Sequence, residues 1–212
     1  MTAAGAVRGR LAVRRFAEVS TATRLGLCAV AEAPEVRQQH VAAVLAWTPG
    51  MQHHGDRAVI KFDYAATAWW ICEALDTADA EMVIAAGTCA VLTISHPQIV
   101  LGRFGFRAGR WMFRQSNDAA LGIARGAVHA AGEFGRAGLR IECPSPAAML
   151  TLVAVLRRLG VAARPAEGAP RVMISAPRVP AALEALGVPD AGEQYRRIRG
   201  PEVPERGRGH RS

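Results

Sequence analysis

Residues Ala119-Ala-Leu-Gly-Ile-Ala-Arg-Gly-Ala-Val-His-Ala-Ala-Gly-Glu-Phe134 set two glycines four apart in a run of alanines. In a helix that spacing puts Gly122 and Gly126 on one face, and Ala124, Ala127, Ala130 and Ala131 keep the surface small. A second helix can then pack at very short distance. Each glycine inside a helix costs roughly 0.5–1 kcal/mol relative to alanine, which points to close packing as the compensating gain. The polar run Gln115-Ser116-Asn117-Asp118 precedes the helix, with Asn117 or Asp118 as its expected cap.

Downstream, Leu139–Cys143 reads as a strand and Ser145–Leu159 as an amphipathic helix ending at Gly160. Val161–Arg164 and Arg171–Ser175 read as short strands, and Pro177 opens a helix that ends at Gly187. Upstream, Arg15–Cys28 reads as a helix with small residues on one side, a weaker copy of the glycine stretch. The segment Ala33–Gly55 reads as an insertion holding a strand, Val41–Trp47, a breaker, Thr48-Pro49-Gly50, and a polar loop, Met51–Asp56. Then come a strand, Ala58–Phe62, a helix from Tyr64 to Ala78 capped by Asp63, strands Met82–Ala85 and Ala90–Ser95, and a helix from Pro97 to Gly102. Arg57–Ile71 aligns with Gly138–Leu152 at a constant offset, and Ile94-Ser95-His96-Pro97 aligns with Ile174-Ser175-Ala176-Pro177 after a one-residue slip. A repeat of this kind constrains topology more than any single motif.

The expected fold is α/β (α+β): two pseudo-twofold-related repeats, each ordered helix, strands, helix, strands, helix. Helices Arg15–Cys28 and Ala119–Gly132 are expected to cross at the centre. The expected divisions are a disordered basic N-terminus (1–14), a first repeat (15–106), a linker (107–118), a second repeat (119–199) and a disordered tail (200–212).

The 212 residues are 50% hydrophobic and 21% charged, ordinary for a folded chain able to bury a core. The formal net charge is +8, and Lys61 is the only lysine. Such arginine bias fits either bidentate phosphate contacts or a GC-rich genome. Cys28, Cys72, Cys89 and Cys143 lie far apart without a CxxC, so they read as free thiols in a reducing cytoplasm, with no zinc site and no cofactor. No apolar run reaches the ~18 residues of a membrane span, and the N-terminus has no signal-peptide core. The expected location is the cytoplasm, with association to the nucleoid.

From Ala124 the glycine stretch resembles the LAGLIDADG motif of homing endonucleases, in which a glycine-faced helix packs on its twin and ends in a catalytic acid. Aligned on Gly126 and Gly132, the place of the acid is taken by Ala131, and the first repeat reads Gly26-Leu27-Cys28. Two-metal cleavage needs carboxylates to hold hard cations between the helix ends, so the chain is expected to be no enzyme and to bind no metal. The second half resembles the WhiA family through Glu142-Cys143-Pro144-Ser145-Pro146-Ala147-Ala148, Leu156-Arg157-Arg158-Leu159-Gly160-Val161, Arg171-Val172-Met173-Ile174 and Tyr195-Arg196-Arg197-Ile198-Arg199. Ala17-Glu18-Val19-Ser20, Arg24 and the unit Arg57–Ala85 agree more loosely. The resemblance implies a noncatalytic DNA-binding regulator of transcription in sporulation and cell division of Gram-positive bacteria, especially actinobacteria. Members of that family carry a helix-turn-helix domain after the two repeats. Here only Gly200–Ser212 follows, so that domain is expected to be absent and DNA binding to be weak or nonspecific.

The nucleic-acid candidates are Arg103, Arg107, Arg110 and Arg114, interleaved with Phe104, Phe106, Trp111 and Phe113, together with Arg140, Arg171, Arg196, Arg197 and Arg199. Guanidiniums bind phosphates and aromatic rings stack on bases, whereas a solvated linker with tucked aromatics is the plainer reading of 103–114. Tail residues Arg206, Arg208 and Arg211 add attraction without specificity. Of Trp69 and Trp70, one is expected in the core and the other at its edge, with Trp70 the candidate for partner binding. The alternative function is a module that binds a regulator protein, or modulates full-length WhiA, without touching DNA. Glu133 reads as a loop acid, His129 as a packed histidine and His53-His54 as loop.

Overall fold

The computed structural model describes residues 3–84 and 89–200. The chain runs α1 (Ala3–Ala29), α2 (Pro34–Trp47), β1 (Gln52–His54), β2 (Arg57–Phe62), α3 (Ala65–Leu75), β3 (Ala80–Ile84), β4 (Ala90–Ser95) and α4 (Pro97–Val100). A 3-10 turn, Gly102–Phe104, and a small hairpin of β5 (Phe106–Arg107) and β6 (Arg110–Trp111) lead into the second half. That half comprises α5 (Asn117–Ala131), β7 (Gly132–Gly135), β8 (Gly138–Glu142), α6 (Pro146–Arg158), β9 (Arg164–Pro165), β10 (Arg171–Ser175), α7 (Val179–Ala185) and α8 (Pro189–Arg199).

The repeat is visible strand by strand. The two four-stranded sheets have orders β1-β2-β4-β3 and β7-β8-β10-β9, antiparallel throughout. In the first, Arg57, Ala58 and Ile60 face Ser95, Ile94 and Leu92; in the second, Gly138, Leu139 and Ile141 face Ser175, Ile174 and Val172. These are the pairs that the sequence offset requires. Period-two alternation fixes the register, because a one-residue slip would turn every core side chain to solvent. Ala58, Ile60, Leu92 and Ile94 are buried in the first core, and Leu139, Ile141, Val172 and Ile174 in the second.

Gly122 and Gly126 do mark the closest helix contact, but the partner is α2, not the helix expected at Arg15–Cys28. A Cβ on Gly122 would run into the Val36 carbonyl and come within 2.9 Å of His40 N; one on Gly126 would strike the Ala43 Cβ and come within 2.6 Å of His40 O. The segment expected to be an inserted strand, Val41–Trp47, is the second half of α2. Its apolar residues are unbroken because the helix is buried on two sides. Val41, Ala42, Val44 and Leu45 enter the first core, while Ala43 and Trp47 enter the second. A short run that is apolar all round has no periodicity to separate helix from strand.

Helix α1 begins at Ala3, so the N-terminal stretch expected to be disordered is helical from there, and Phe16, Val19 and Leu27 join the second core. Phe16 packs on Tyr195 of α8, the helix that closes the second half. Other differences are local. Ser116, not Asn117 or Asp118, caps α5 by accepting the Ala119 N–H at 2.9 Å. Tyr64 occupies the N-cap position of α3, the strand β7 follows α5 at once, and His53-His54 lie in β1. The span expected as a linker, 107–118, holds the tip and second strand of the small hairpin and the start of α5. Residues 201–212, with Arg206, Arg208 and Arg211, lie outside the described residues.

Candidate nucleic-acid interface

Gly122 lies against Val36–His40 and Gly126 against His40–Val44, so α2 and α5 run in the same direction. Their C-termini, capped at Thr48 and Gly132, therefore meet at one end of the pair, and β1 and β7 leave from that end. At this end α2 presents Trp47 and Thr48, whose hydroxyl donates to the Val44 carbonyl at 2.7 Å. Helix α5 presents Ala131 and Gly132. Glu133 is the next residue, and its carboxylate is bound by Arg140. Among the described residues no group of three His, Cys, Asp or Glu side chains could hold a metal ion.

A guanidinium takes up carbonyls at the α5 terminus that have no partner within the helix. Buried Arg24 donates from Nε to His129 O at 3.0 Å and from Nη2 to Gly132 O at 3.1 Å. Tyr64 stacks on it at 4.3 Å. A cation at a helix C-terminus is favoured by the axial dipole and by the four carbonyls left without helical partners. Burial lowers the Arg24 pKa, while Tyr64, Glu133 and Asp63 act against that shift.

Deeper between the helices lies a buried polar chain. Glu32 Oε1 accepts from Arg125 Nη1 and from His40 Nδ1, each at 2.9 Å. His40 Nε2 meets His129 Nδ1 at 3.1 Å, and His129 Nε2 meets the Thr67 hydroxyl at 2.9 Å and the Cys28 thiol at 3.7 Å. The carboxylate fixes the tautomers in order. His40 carries its proton on Nδ1, His129 donates from Nδ1 to the free Nε2 of His40, and Thr67 donates to the remaining nitrogen of His129. Burial would raise the Glu32 pKa, but the bonds from His40 and Arg125 outweigh it and hold the carboxyl below its ordinary range. Burial holds His40 below the usual histidine range and His129 well below it. Both rings are fully buried and sealed from any substrate. Their chemistry is positional, matching one face of α2 to one face of α5. His129 is thus a packed histidine, while His40 and Arg125 have no signal in the sequence beyond being polar residues in apolar helices, and Glu32 none beyond being an acid in the α1–α2 connection.

Trp70 packs against this chain, 4.4 Å from His40 and 5.4 Å from His129 between ring centroids, and only 5% of it is exposed. It cannot offer a partner surface. The exposed member of the pair is Trp69, at 58%.

The candidate arginines fall into separate groups. Arg107 and Arg110 face each other across the β5–β6 hairpin, joined by Ala108 (φ +48°) and Gly109 (φ +75°), a two-residue turn with both residues left-handed. The base of the hairpin is anchored by Phe106 against Trp111 at 5.0 Å and by His53 stacked on Phe106 at 6.0 Å. Both arginines are exposed, and neither has an ion pair among the described residues. Arg140 and Arg171 stand on the outer face of the second sheet, where Arg140 binds Glu133 and Glu142, and Arg171 binds Glu142 at 2.7 Å. Arg103 and Arg114 line a recess of about 460 Å³ with Pro34, Glu35 and Gln38 at the other end of α2, and Arg114 is 3.9 Å from Glu35. Arg196 and Arg197 are exposed on α8, and Arg199 is half-buried at its end. The nine arginines thus make no single patch.

No protein-family model and no curated protein sequence matches the chain. Solved structures do. Full-length DUF199/WhiA from Thermatoga maritima is similar over 84% of this chain, with a TM-score of 0.61 and 13% identity, and the chain spans 64% of the length of that protein. The N-terminal LAGLIDADG domain of DUF199/WhiA gives 0.59 at 14% identity over 79% of this chain and 89% of the domain. I-DmoI, crystallised with DNA and Mn, gives 0.51 at 14% identity over 72% of this chain and 96% of its own. The architecture is a WhiA-like LAGLIDADG fold. No helix among the described residues is long and apolar enough to cross a membrane.

Proposed function

We propose that this chain is a noncatalytic DNA-binding regulator of the WhiA kind, acting on transcription in cell division or sporulation. One observation carries the reading. The two parallel helices deliver their C-termini to one end as in a LAGLIDADG domain, yet that end presents Thr48, Ala131 and Gly132, with Arg24 bonded to the α5 carbonyls and the next acid, Glu133, bound by Arg140. Metal-assisted cleavage would need carboxylates there to hold its cations. A buried guanidinium bound to the helix end disfavours a divalent ion there, and phosphate contacts fall to the exposed arginines instead. The fold is kept for holding DNA, and the cutting chemistry is gone.

Affinity on this reading is electrostatic, through phosphate contacts that fix position and carry no sequence information. Arg107 and Arg110 are the first contacts, because they stand exposed on a hairpin tip with no ion pair among the described residues; Arg103, Arg196 and Arg197, exposed and likewise without one there, follow, and Arg114, Arg140 and Arg171, each beside a carboxylate, and the half-buried Arg199 contribute less. The test is incubation of the purified protein with a pool of random duplexes and either magnesium or manganese. Retarded but intact DNA is the expected result. Nicked or cut DNA would refute the noncatalytic reading, and free DNA at low salt would refute the DNA-binding one.

A further inference from the structure

Helix α3 turns one face away from the core. Ala66, Trp69, Glu73 and Asp76 recur at intervals of three and four, and they line a groove of about 960 Å³ with Cys72 and, from α1, Cys28. Leu25, one helical turn before Cys28, is 51% exposed. Trp69, 58% exposed, thus stays in water on the wall of the groove, and Leu25 stays in water one turn along α1 from its edge, so covering this apolar surface is favourable.

The charge of the groove opposes that of the molecule. In a chain of net charge +8 its only charged lining residues are Glu73 and Asp76, and neither is ion-paired among the described residues. Asp76 is also the left-handed C-cap of α3 (φ +43°), so the carbonyl end of the helix dipole adds to the negative potential. Arg37 lies on the α2 side, its guanidinium 5.1 Å from the centroid of the Trp70 ring, so it is the α3 wall carrying Trp69, Glu73 and Asp76 that draws cations.

We infer that the α1–α3 groove binds a basic, apolar segment of a partner protein, with an arginine or lysine of that segment over the Trp69 ring and paired with Glu73 and Asp76. The indole face attracts a cation within about 6 Å of its centroid, the two carboxylates complete its pairing, and Leu25, Ala66 and Cys72 cover the neighbouring apolar side chains. The site is independent of the DNA surface, since none of the candidate arginines lines it.

The probe is an end-blocked ten-residue peptide of alternating leucine and arginine, titrated into the full chain by calorimetry at physiological salt, with a leucine–glutamate peptide as control. Expected is saturable one-to-one binding of the basic peptide alone, weakened about tenfold or more by Trp69→Ala and about fivefold or more by Glu73→Gln with Asp76→Asn. All three positions are exposed, so the variants should keep the wild-type thermal midpoint, and their retention of duplex DNA should not change. Lack of binding, equal binding of the acidic peptide, or unaltered affinity in folded variants would overturn the proposal.

Discussion

Arg24 and Arg125 point inward and Arg107 and Arg110 point outward, and the same side chain serves opposite ends in the two places. Arg125 is bound by Glu32 and by the Leu186 carbonyl at 2.9 Å, and Arg24 by two carbonyls of the α5 terminus. Their charge is spent on the fold. Arg107 and Arg110 sit directly opposite each other on a hairpin tip, an arrangement that costs stability through like-charge repulsion and leaves two guanidiniums for a ligand. Arg140 and Arg171, tied to Glu133 and Glu142, fall between these cases. A formal charge of +8 is therefore a poor measure of the field a phosphate meets.

The inward set should break most sharply at its carboxylate. Glu32→Ala strands the Arg125 guanidinium and removes the acceptor of His40, and a loss of about 3–5 kcal/mol is expected in urea unfolding. Arg24→Met removes two charge-assisted bonds and should cost about 1.5–3 kcal/mol by the same measurement. Acid should act through the histidines. Both have folded-state pKa values below the unfolded value of about 6.5, so the unfolded chain binds more protons as pH falls below that point. Stability is then full above about pH 6.5 and declines beneath it, by up to about 1.4 kcal/mol per pH unit for each histidine until its folded pKa is passed. A His129→Gln variant should show a shallower decline; an unchanged slope would remove His129 from the account. Removal of the outward pair, Arg107→Ala with Arg110→Ala, should leave stability within about 0.5 kcal/mol of wild type.

The sequence was most informative where space or alternation leaves a pattern. Two glycines four apart announce a close helix contact, and the strand register follows from Ile60 and Ile141 at a constant offset. The partner helix was hidden for a physical reason. Only one side of a close contact must be small, so α5 carries the glycines and α2 offers Gln39, His40 and Ala43, which look like nothing in particular. Burial on two sides then erased the helical period of Val41–Trp47. The site was legible in type but not in place. Arginines can be counted, but whether one meets Glu32, Glu142 or water depends on the fold, which brings Arg125 to Glu32 across 93 residues and Arg171 to Glu142 across a strand pair. Trp69 and Trp70 show the same limit, since adjacent helical positions differ by about a quarter turn and packing alone decides which is buried.

The most direct test is the salt dependence of duplex DNA binding for three proteins: wild type, Arg107→Ala with Arg110→Ala, and Arg140→Ala with Arg171→Ala. Expected are a steep log–log slope for wild type and a slope shallower by about 1.8 for the hairpin variant, at about 0.9 per neutralised phosphate. The sheet variant should change it less, because Glu133 and Glu142 already hold those charges. Equal slopes for wild type and the hairpin variant would contradict the account.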